Sequence, residues 1–215
     1  MAAGHVNVQD LVAFRAHFER FPASVKGAFV LRAADGDPHQ VRLEVAKVRE
    51  VVGSAGRPID VEPVTLDVAP NLDTFVPFEF ALTELSAGWY TLECEVAVDG
   101  SPATVRPGDR FSVPWPRATV RRGQLSLRKT AQVDGGPKVR LEQLECGGDA
   151  TTLRYASPAA VDVRLSADGT RVPVLDAGFD ERGGAGSVTA YPLLKSQASL
   201  TIEIKGAAPV EVSLP

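Results

Sequence analysis

The spacing of apolar residues along this chain changes near Pro22. Before that point they recur at intervals of three and four residues, the spacing of an amphipathic helix: Val8, Leu11, Val12, Phe14, Phe18 and Phe21. Asn7 is placed as the N-cap of this helix and Asp10 as the partner three positions later, and Pro22 ends it. The pattern predicts a short N-terminal helical segment over residues 1–22.

From residue 23 onward, apolar and polar positions alternate with the period of β-strands. The clearest strand lies within AGWYTLECEVAVDG, where alternate positions are apolar: Tyr90, Leu92, Cys94, Val96 and Val98. Asp-Gly pairs begin at Asp35, Asp99, Asp134 and Asp168, and each glycine supplies the positive φ that a tight reversal needs. Short strands separated by such turns are typical of antiparallel sandwiches, so the chain is predicted to be mainly β.

Within LSAGWYTLEC, the residues Leu85, Gly88, Tyr90 and Leu92 resemble a corner common in immunoglobulin-like and fibronectin-like sandwiches. The resemblance covers this corner and the general strand spacing, and it implies a fold without a function. We therefore expect two immunoglobulin/fibronectin-like β-sandwich domains, at residues 23–114 and 118–215. The Trp-Pro-Arg stretch at 115–117, which directly follows Pro114, is the expected linker, since proline cannot donate to a strand ladder.

Composition and charge narrow the possible partners. The 215 residues are 44% hydrophobic and 23% charged, as in an ordinary globular protein. No segment approaches the ~20 consecutive apolar residues of a membrane span, and no secretory signal is evident. We expect a cytoplasmic protein without a membrane partner. The net charge of −4 combines +6 over residues 117–140 with −10 elsewhere, which does not favour nucleic acid as a partner of the whole chain.

The basic segment supplies the candidate partner-binding residues, which are Arg117, Arg121, Arg122, Arg128, Lys138 and Arg140. A bulge at Gly123 would turn several of them outward on one hairpin face. Nucleic-acid binders usually add stacking aromatic residues, so an acidic protein surface or self-association is the preferred partner. Reversing the charge of Arg121 and Arg128 is expected to leave folding intact.

Groups that could perform catalysis are few. The histidines are His5, His17 and His39, none spaced as metal ligands or as base and nucleophile, and no phosphate or dinucleotide motif is present. No cofactor or metal is predicted. The glycine-rich stretch 177–187 is expected to be a surface loop with solvated acids, and Glu93 and Glu95 are expected on a water-facing strand. Cys94 and Cys146 are expected as reduced thiols.

The sequence thus favours a non-enzymatic protein-interaction or assembly protein built from tandem β-sandwich domains. A carbohydrate-binding module is the alternative, with Trp89 as the candidate aromatic platform because it alternates outward from Tyr90. Trp115 is a second possible aromatic contact, although its flanking prolines favour a packed hinge. An enzyme with an unrecognised site is the third and weakest hypothesis.

Overall fold

The computed structural model describes residues 2–3, 6–12, 24–52, 56–59, 62–81, 85–105 and 110–215. The chain divides into two compact units, Met1–Val113 and Pro114–Pro215. All regular elements in the described ranges are β-strands. None of these residues forms a helix of the length and apolarity needed to cross a membrane.

The described residues of the first unit form two antiparallel sheets. Its strands, in chain order, are β1 (Ala2–Ala3), β2 (Val6–Val12), β3 (Ser24–Ala33), β4 (His39–Glu50), β5 (Gly56–Ile59), β6 (Val64–Val68), β7 (Thr74–Ala81), β8 (Gly88–Val98), β9 (Ser101–Val105) and β10 (Arg110–Val113). One sheet has the order β1-β2-β3-β7. The other has the order β10-β8-β4-β5, with β6 paired to β4 and β9 paired to β8.

Side chains from both sheets form one core in this unit, which makes it a sandwich. Phe29 on β3 and Phe78 on β7 pack with their ring centroids 4.8 Å apart, and Leu43 and Leu92 are fully buried opposite them. The predicted alternation of β8 is confirmed, because the apolar residues at alternate positions from Tyr90 to Val98 are all buried.

The predicted corner at Tyr90 has a specific hydrogen bond. The Tyr90 hydroxyl donates to the Ser86 carbonyl at 2.9 Å, which is the backbone contact of a tyrosine corner. The Tyr90 ring also stacks on Phe111 at 5.7 Å. Glycine at 88 relieves crowding beside this ring, since a Cβ there would make a tight contact of 3.3 Å with Tyr90 Cε2.

Two expectations for this unit are wrong. The helix predicted to begin at Asn7 is absent at Val6–Val12, where β2 pairs with β3 along seven consecutive residues; the remainder of the predicted helix, 13–22, lies outside the described residues. Glu93 does not face water, because it is buried with its carboxylate 3.4 Å from Arg49 Nε. Glu95 is half-buried and pairs with Lys47 Nζ at 2.8 Å.

The second unit is also a sandwich of two antiparallel sheets. Its strands are β11 (Gly123–Gln132), β12 (Lys138–Cys146), β13 (Thr151–Ala156), β14 (Val163–Ala167), β15 (Thr170–Val172), β16 (Val174–Asp180), β17 (Ala185–Ala190), β18 (Ser199–Ile204) and β19 (Val210–Ser213). The sheets have the orders β11-β12-β13-β17-β16 and β15-β14-β18-β19. Leu141, Leu144 and Leu153 of the first sheet and Leu165, Leu200 and Ile202 of the second share its core.

One close approach inside this core requires glycine. Tyr155 on β13 lies directly opposite Gly186 on β17 in the register, and both residues are buried. A Cβ on Gly186 would lie closer than 3.0 Å to three atoms of the Tyr155 ring and hydroxyl. The ring therefore occupies the space that any other residue at position 186 would fill.

The stretch 177–187 is not a loop, as the sequence suggested, but most of a hairpin. Strands β16 and β17 pair through Asp180 and Ala185, so that residues 181–184 form the turn. Alternation could not reveal β16, because Leu175 is its one buried residue and Ala177 and Gly178 are both exposed. The four Asp-Gly turns are confirmed, with φ values of +88° at Gly36, +81° at Gly100, +63° at Gly135 and +78° at Gly169.

Candidate binding groove

The hairpin β11–β12 carries three of the six basic residues that the sequence nominated, Arg128, Lys138 and Arg140. Its register places Thr130 opposite Arg140 and Gln132 opposite Lys138. A bulge interrupts the pairing between Ser126 and Lys129, not at Gly123 as predicted. Arg128 lies in this bulge with a left-handed φ of +46°, and its side chain is exposed.

Alternation along β12 determines which side chains face outward. Val139 and Leu141 are completely buried in the core. Lys138 and Arg140 therefore project from the opposite, outer face of the sheet, where both are exposed. Residues two apart on one strand are separated by about 6.8 Å, so the two cationic side chains emerge side by side.

These two side chains line an open groove of about 430 Å³ together with Thr130. The opposite wall consists of Ala156, Ser157, Pro158, Gly183 and Gly184, which come from the end of β13 and the β16–β17 turn.

A backbone hydrogen bond joins the two parts of that wall, since the Ser157 N–H donates to the Gly184 carbonyl at 2.8 Å. Gly184 has a φ of +64°, and a Cβ there would lie 2.9 Å from the Ser157 carbonyl oxygen. Glycine at 184 thus lets the turn approach Ser157 closely enough to complete the groove.

The charge at the groove is positive. Lys138 and Arg140 are its charged lining residues. The Arg140 guanidinium donates to Glu142 Oε1 from Nη2 at 2.7 Å and from Nε at 3.0 Å. Both partners are substantially exposed, so this pair contributes about 0–1 kcal/mol and can be exchanged for another carboxylate at little cost.

The other nominated arginines do not line this groove. Arg117 and Arg122 are exposed before β11, on either side of residues 119–121, which pair with residues 193–195. Arg121 is half-buried, and its Nη2 donates to the Gln197 carbonyl at 2.8 Å. Its role in the structure is therefore to hold the segment near Gln197, which contradicts the outward orientation expected from the sequence.

Sequence reasoning missed a basic residue and most of the groove wall. The Lys129 ammonium donates to the Glu211 carbonyl on β19, a contact between the two sheets of the sandwich. Nothing in the sequence marks Thr130 or Ser157. Gly183 and Gly184 stood out as glycines, but their place beside β13 depends on the pairing of β13 with β17.

The two nominated tryptophans are both half-buried. The Trp115 ring meets the Tyr191 ring edge to face, with centroids 5.3 Å apart and planes at 73°. The Trp89 carbonyl accepts a hydrogen bond from the Val51 N–H at 2.8 Å. Neither residue lines the groove.

A separate polar cluster in the first unit centres on His39, which is 8% exposed. Its Nδ1 lies 2.6 Å from Asp99 Oδ2 and its Nε2 lies 2.9 Å from Asp35 Oδ1. These hydrogen bonds to Asp99 and Asp35 raise the pKa of His39, and in return His39 lowers the pKa of each carboxyl. The ring thereby joins the Asp35-Gly36 turn to the Asp99-Gly100 turn, and in its protonated form it donates to both carboxylates.

This cluster has the geometry of a structural tie. Both ring nitrogens of His39 already bond carboxylates, so neither is open to accept a proton from a substrate. Within the described ranges no three His, Cys, Asp or Glu side chains are grouped to hold a metal ion. His5 and His17 lie outside the described residues.

No family model matches the sequence, and no curated protein is significantly similar to it. Among solved structures the chain is similar to the Streptococcus agalactiae AgI/II polypeptide BspA C-terminal domain, over 95% of this chain and 97% of that chain. The sequence identity is 10% and the TM-score is 0.24, so the similarity carries no argument about fold type or function.

Proposed function

We propose that this chain is a non-enzymatic protein-interaction protein whose second unit binds an extended acidic segment of a partner protein in the groove beside Lys138 and Arg140. One observation carries the proposal: two exposed cations project side by side from β12 into an open groove. Alternate residues of an extended peptide are also about 6.8 Å apart. Acidic side chains at alternate positions of a partner therefore match the spacing of the two cations.

The lining of the groove favours a carboxylate ligand over nucleic acid. Its residues include no aromatic side chain on which a base could stack. Two cations also neutralise few phosphates, whereas nucleic-acid affinity grows with the number of phosphates contacted. Glu142 supports a carboxylate as the ligand, because one of its carboxylate oxygens already accepts two hydrogen bonds from the Arg140 guanidinium.

The same lining supports a binding role without catalysis. Ser157 is its serine, and the hydroxyl donates to the Ala159 carbonyl at 2.6 Å. No histidine or carboxylate among the lining residues could activate that hydroxyl as a base.

The test is a titration of the full chain into a labelled peptide that alternates Glu and Thr, followed by fluorescence anisotropy. A peptide with Gln in place of Glu is the ligand control. We expect the Glu peptide to bind, the Gln peptide to bind more weakly, and added salt to weaken the Glu complex because the pairs are exposed.

Charge reversal tests whether the Glu peptide binds in the groove. The double variant Lys138→Glu with Arg140→Glu should abolish binding of the Glu peptide. The matched control is Arg171→Glu with Lys205→Glu, which changes one exposed Arg and one exposed Lys outside the groove of the same unit and should bind like wild type. Equal loss in both double variants, or equal binding of the Gln peptide, would contradict the proposal.

We also propose that the first unit is of the immunoglobulin-like type. Two observations support this: the hydrogen bond from Tyr90 to Ser86, and the strand orders β2-β3-β7 and β10-β8-β4-β5. In the immunoglobulin fold a sheet of the first, second, fourth and fifth strands packs on a sheet of the third, sixth and seventh. Strands β2, β3 and β7 correspond to the first, second and fifth, and β4, β8 and β10 to the third, sixth and seventh, whereas β6 departs from the pattern by pairing with β4. An experimental structure in which β7 pairs with β4 instead of β3 would contradict it.

A further inference from the structure

The four Asp-Gly turns have the same dipeptide but unequal surroundings. In any Asp-Gly pair the glycine nitrogen can attack the aspartate side-chain carbonyl carbon, since glycine has no side chain to obstruct the approach. A C–N bond forms, the carboxyl oxygen leaves with two protons as water, and a cyclic imide remains. Water then opens the imide at either carbonyl, and opening at the main-chain carbonyl leaves isoaspartate with no net change in mass.

The two turns of the first unit hold their carboxylates through His39. Asp35 Oδ1 accepts from His39 Nε2 at 2.9 Å and from the Asp37 N–H at 3.1 Å. Asp99 Oδ2 accepts from His39 Nδ1 at 2.6 Å, and Oδ1 accepts from the Gln40 N–H at 2.9 Å. Either carboxyl group must leave these donors before it can turn toward its own glycine.

Asp168 is held still more completely. Its Oδ1 accepts from the Ser199 N–H at 2.8 Å and from the Ser199 hydroxyl at 2.9 Å. Both of its oxygens lie 3.1 Å from the Ala198 N–H. These donors hold the carboxylate at the start of β18, and it must leave them before it can turn toward the nitrogen of Gly169.

Asp134 differs from the other three. Its side chain is exposed, as are those of the other three, but within the described part of the chain no hydrogen bond or ion pair engages its carboxylate. Its backbone N–H donates to the Gly206 carbonyl at 2.7 Å, while the Gly136 N–H closes the turn on Val133 at 3.0 Å. Among the described residues, the Gly135 N–H has no acceptor.

We infer that Asp134 is the site at which this chain forms the cyclic imide and isoaspartate by itself, ahead of Asp35, Asp99 and Asp168. The reaction needs no oxidant, enzyme or cofactor, because the carboxyl group and the Gly135 nitrogen are its reactants and water is the co-reactant of the second step. The product carries one extra methylene in the backbone of the β11–β12 turn.

The experiment ages the folded wild-type chain at or just below neutral pH in water enriched in heavy oxygen. Opening of the imide adds one heavy oxygen to each product. Acidic digestion and mass spectrometry then give the labelled fraction of the four Asp-Gly peptides, and fragmentation distinguishes isoaspartate from aspartate. We expect the peptide of Asp134 to be labelled severalfold faster than each of the other three.

Two controls separate structure from sequence. In urea, where the held carboxylates lose their donors, the four peptides should be labelled at similar rates. The variant Asp134→Glu should lose the label at 134 without raising it elsewhere, because glutamate closes only the less favourable six-membered ring. Labelling of the folded chain at Asp35, Asp99 or Asp168 as fast as at Asp134 would overturn the inference.

Discussion

Gly186 gives the second unit a position at which one methyl group should have a large and calculable effect. In Gly186→Ala the new Cβ would lie within 3.0 Å of the Tyr155 ring, so the ring must move. Tyr155 is 3% exposed and is surrounded by core residues that include Leu153 and Val188. Overpacking of a filled core costs about 1–3 kcal/mol, and a ring with no free space to enter falls at the upper end.

Gly178, on the neighbouring strand β16, is the matched control. A Cβ there would have its nearest neighbour at 3.9 Å, the Ser187 Oγ, which is an ordinary contact. Because alanine restricts the unfolded chain more than glycine does, Gly178→Ala should stabilise the unit by about 0.4–1 kcal/mol. The two substitutions therefore add the same methyl group with opposite expected signs.

Thermal unfolding followed by circular dichroism and tryptophan fluorescence measures both effects. For a unit of roughly 100 residues, 1 kcal/mol shifts the midpoint by about 4–8 °C. Gly186→Ala should thus lower the midpoint of the second unit by about 12–24 °C, while Gly178→Ala raises it by a few degrees.

A double-mutant cycle identifies the cause. In Tyr155→Leu the ring atoms that the methyl group would meet are gone, so Gly186→Ala should cost less there than in wild type, with a coupling of about 1–3 kcal/mol. The close packing of Tyr155 on Gly186 would be refuted if Gly186→Ala were as stable as wild type. It would also be refuted if Gly186→Ala destabilised the Tyr155→Leu protein as much as it destabilises wild type.

Two further predictions concern polar side chains. Because the folded pKa of His39 is raised above its ordinary 6.5, its hydrogen bonds to Asp35 and Asp99 stabilise the first unit fully below pH 6.5, and this stability is lost as the pH rises through the raised pKa. The urea midpoint of unfolding should therefore fall with rising pH in that range, and His39→Gln should remove the fall. An unchanged pH dependence in His39→Gln would exclude this role of His39. Arg121→Met, which removes the donors to Gln197, should destabilise the second unit by about 1–3 kcal/mol. The exposed Arg128→Met should stay within about 0.5 kcal/mol of wild type in the same denaturant titration, and equal effects would refute the distinction.

Local chemistry in the sequence was sufficient to predict the turns and many of the strands. An Asp-Gly pair favours a tight turn because glycine adopts positive φ without steric cost, so the turns at Gly36, Gly100, Gly135 and Gly169 could be predicted without knowledge of the rest of the fold. The alternation of β8 was equally local, since one face of that strand is buried against a single core.

The prediction of an N-terminal helix was wrong at Val6–Val12 because the spacings of a strand and of a helix overlap in these residues. Val6 and Val8 alternate as a strand does, while Val8, Leu11 and Val12 also fit a helix. Pairing of β2 with β3 over seven residues decides between them, and that partner is distant in sequence.

The groove could not be predicted for a related reason. Lys138 and Arg140 were nominated by charge, but the facing wall joins the end of β13 to a turn more than twenty residues later. Sequence charge also could not distinguish Arg140, which faces solvent, from Arg121, whose guanidinium binds backbone carbonyls.

The pairing of residues 119–121 with residues 193–195 has a mechanical consequence. The Lys195 N–H donates to the Thr119 carbonyl and the Arg121 N–H donates to the Leu193 carbonyl, both at 2.8 Å, around the bridge between Val120 and Leu194. Tension entering the second unit through Pro116 reaches these bonds before it reaches β11. The hydrogen bond from the Arg121 guanidinium to the Gln197 carbonyl bears part of the same force. The unit therefore resists pulling at its N-terminal end through a few hydrogen bonds that lie outside its two sheets.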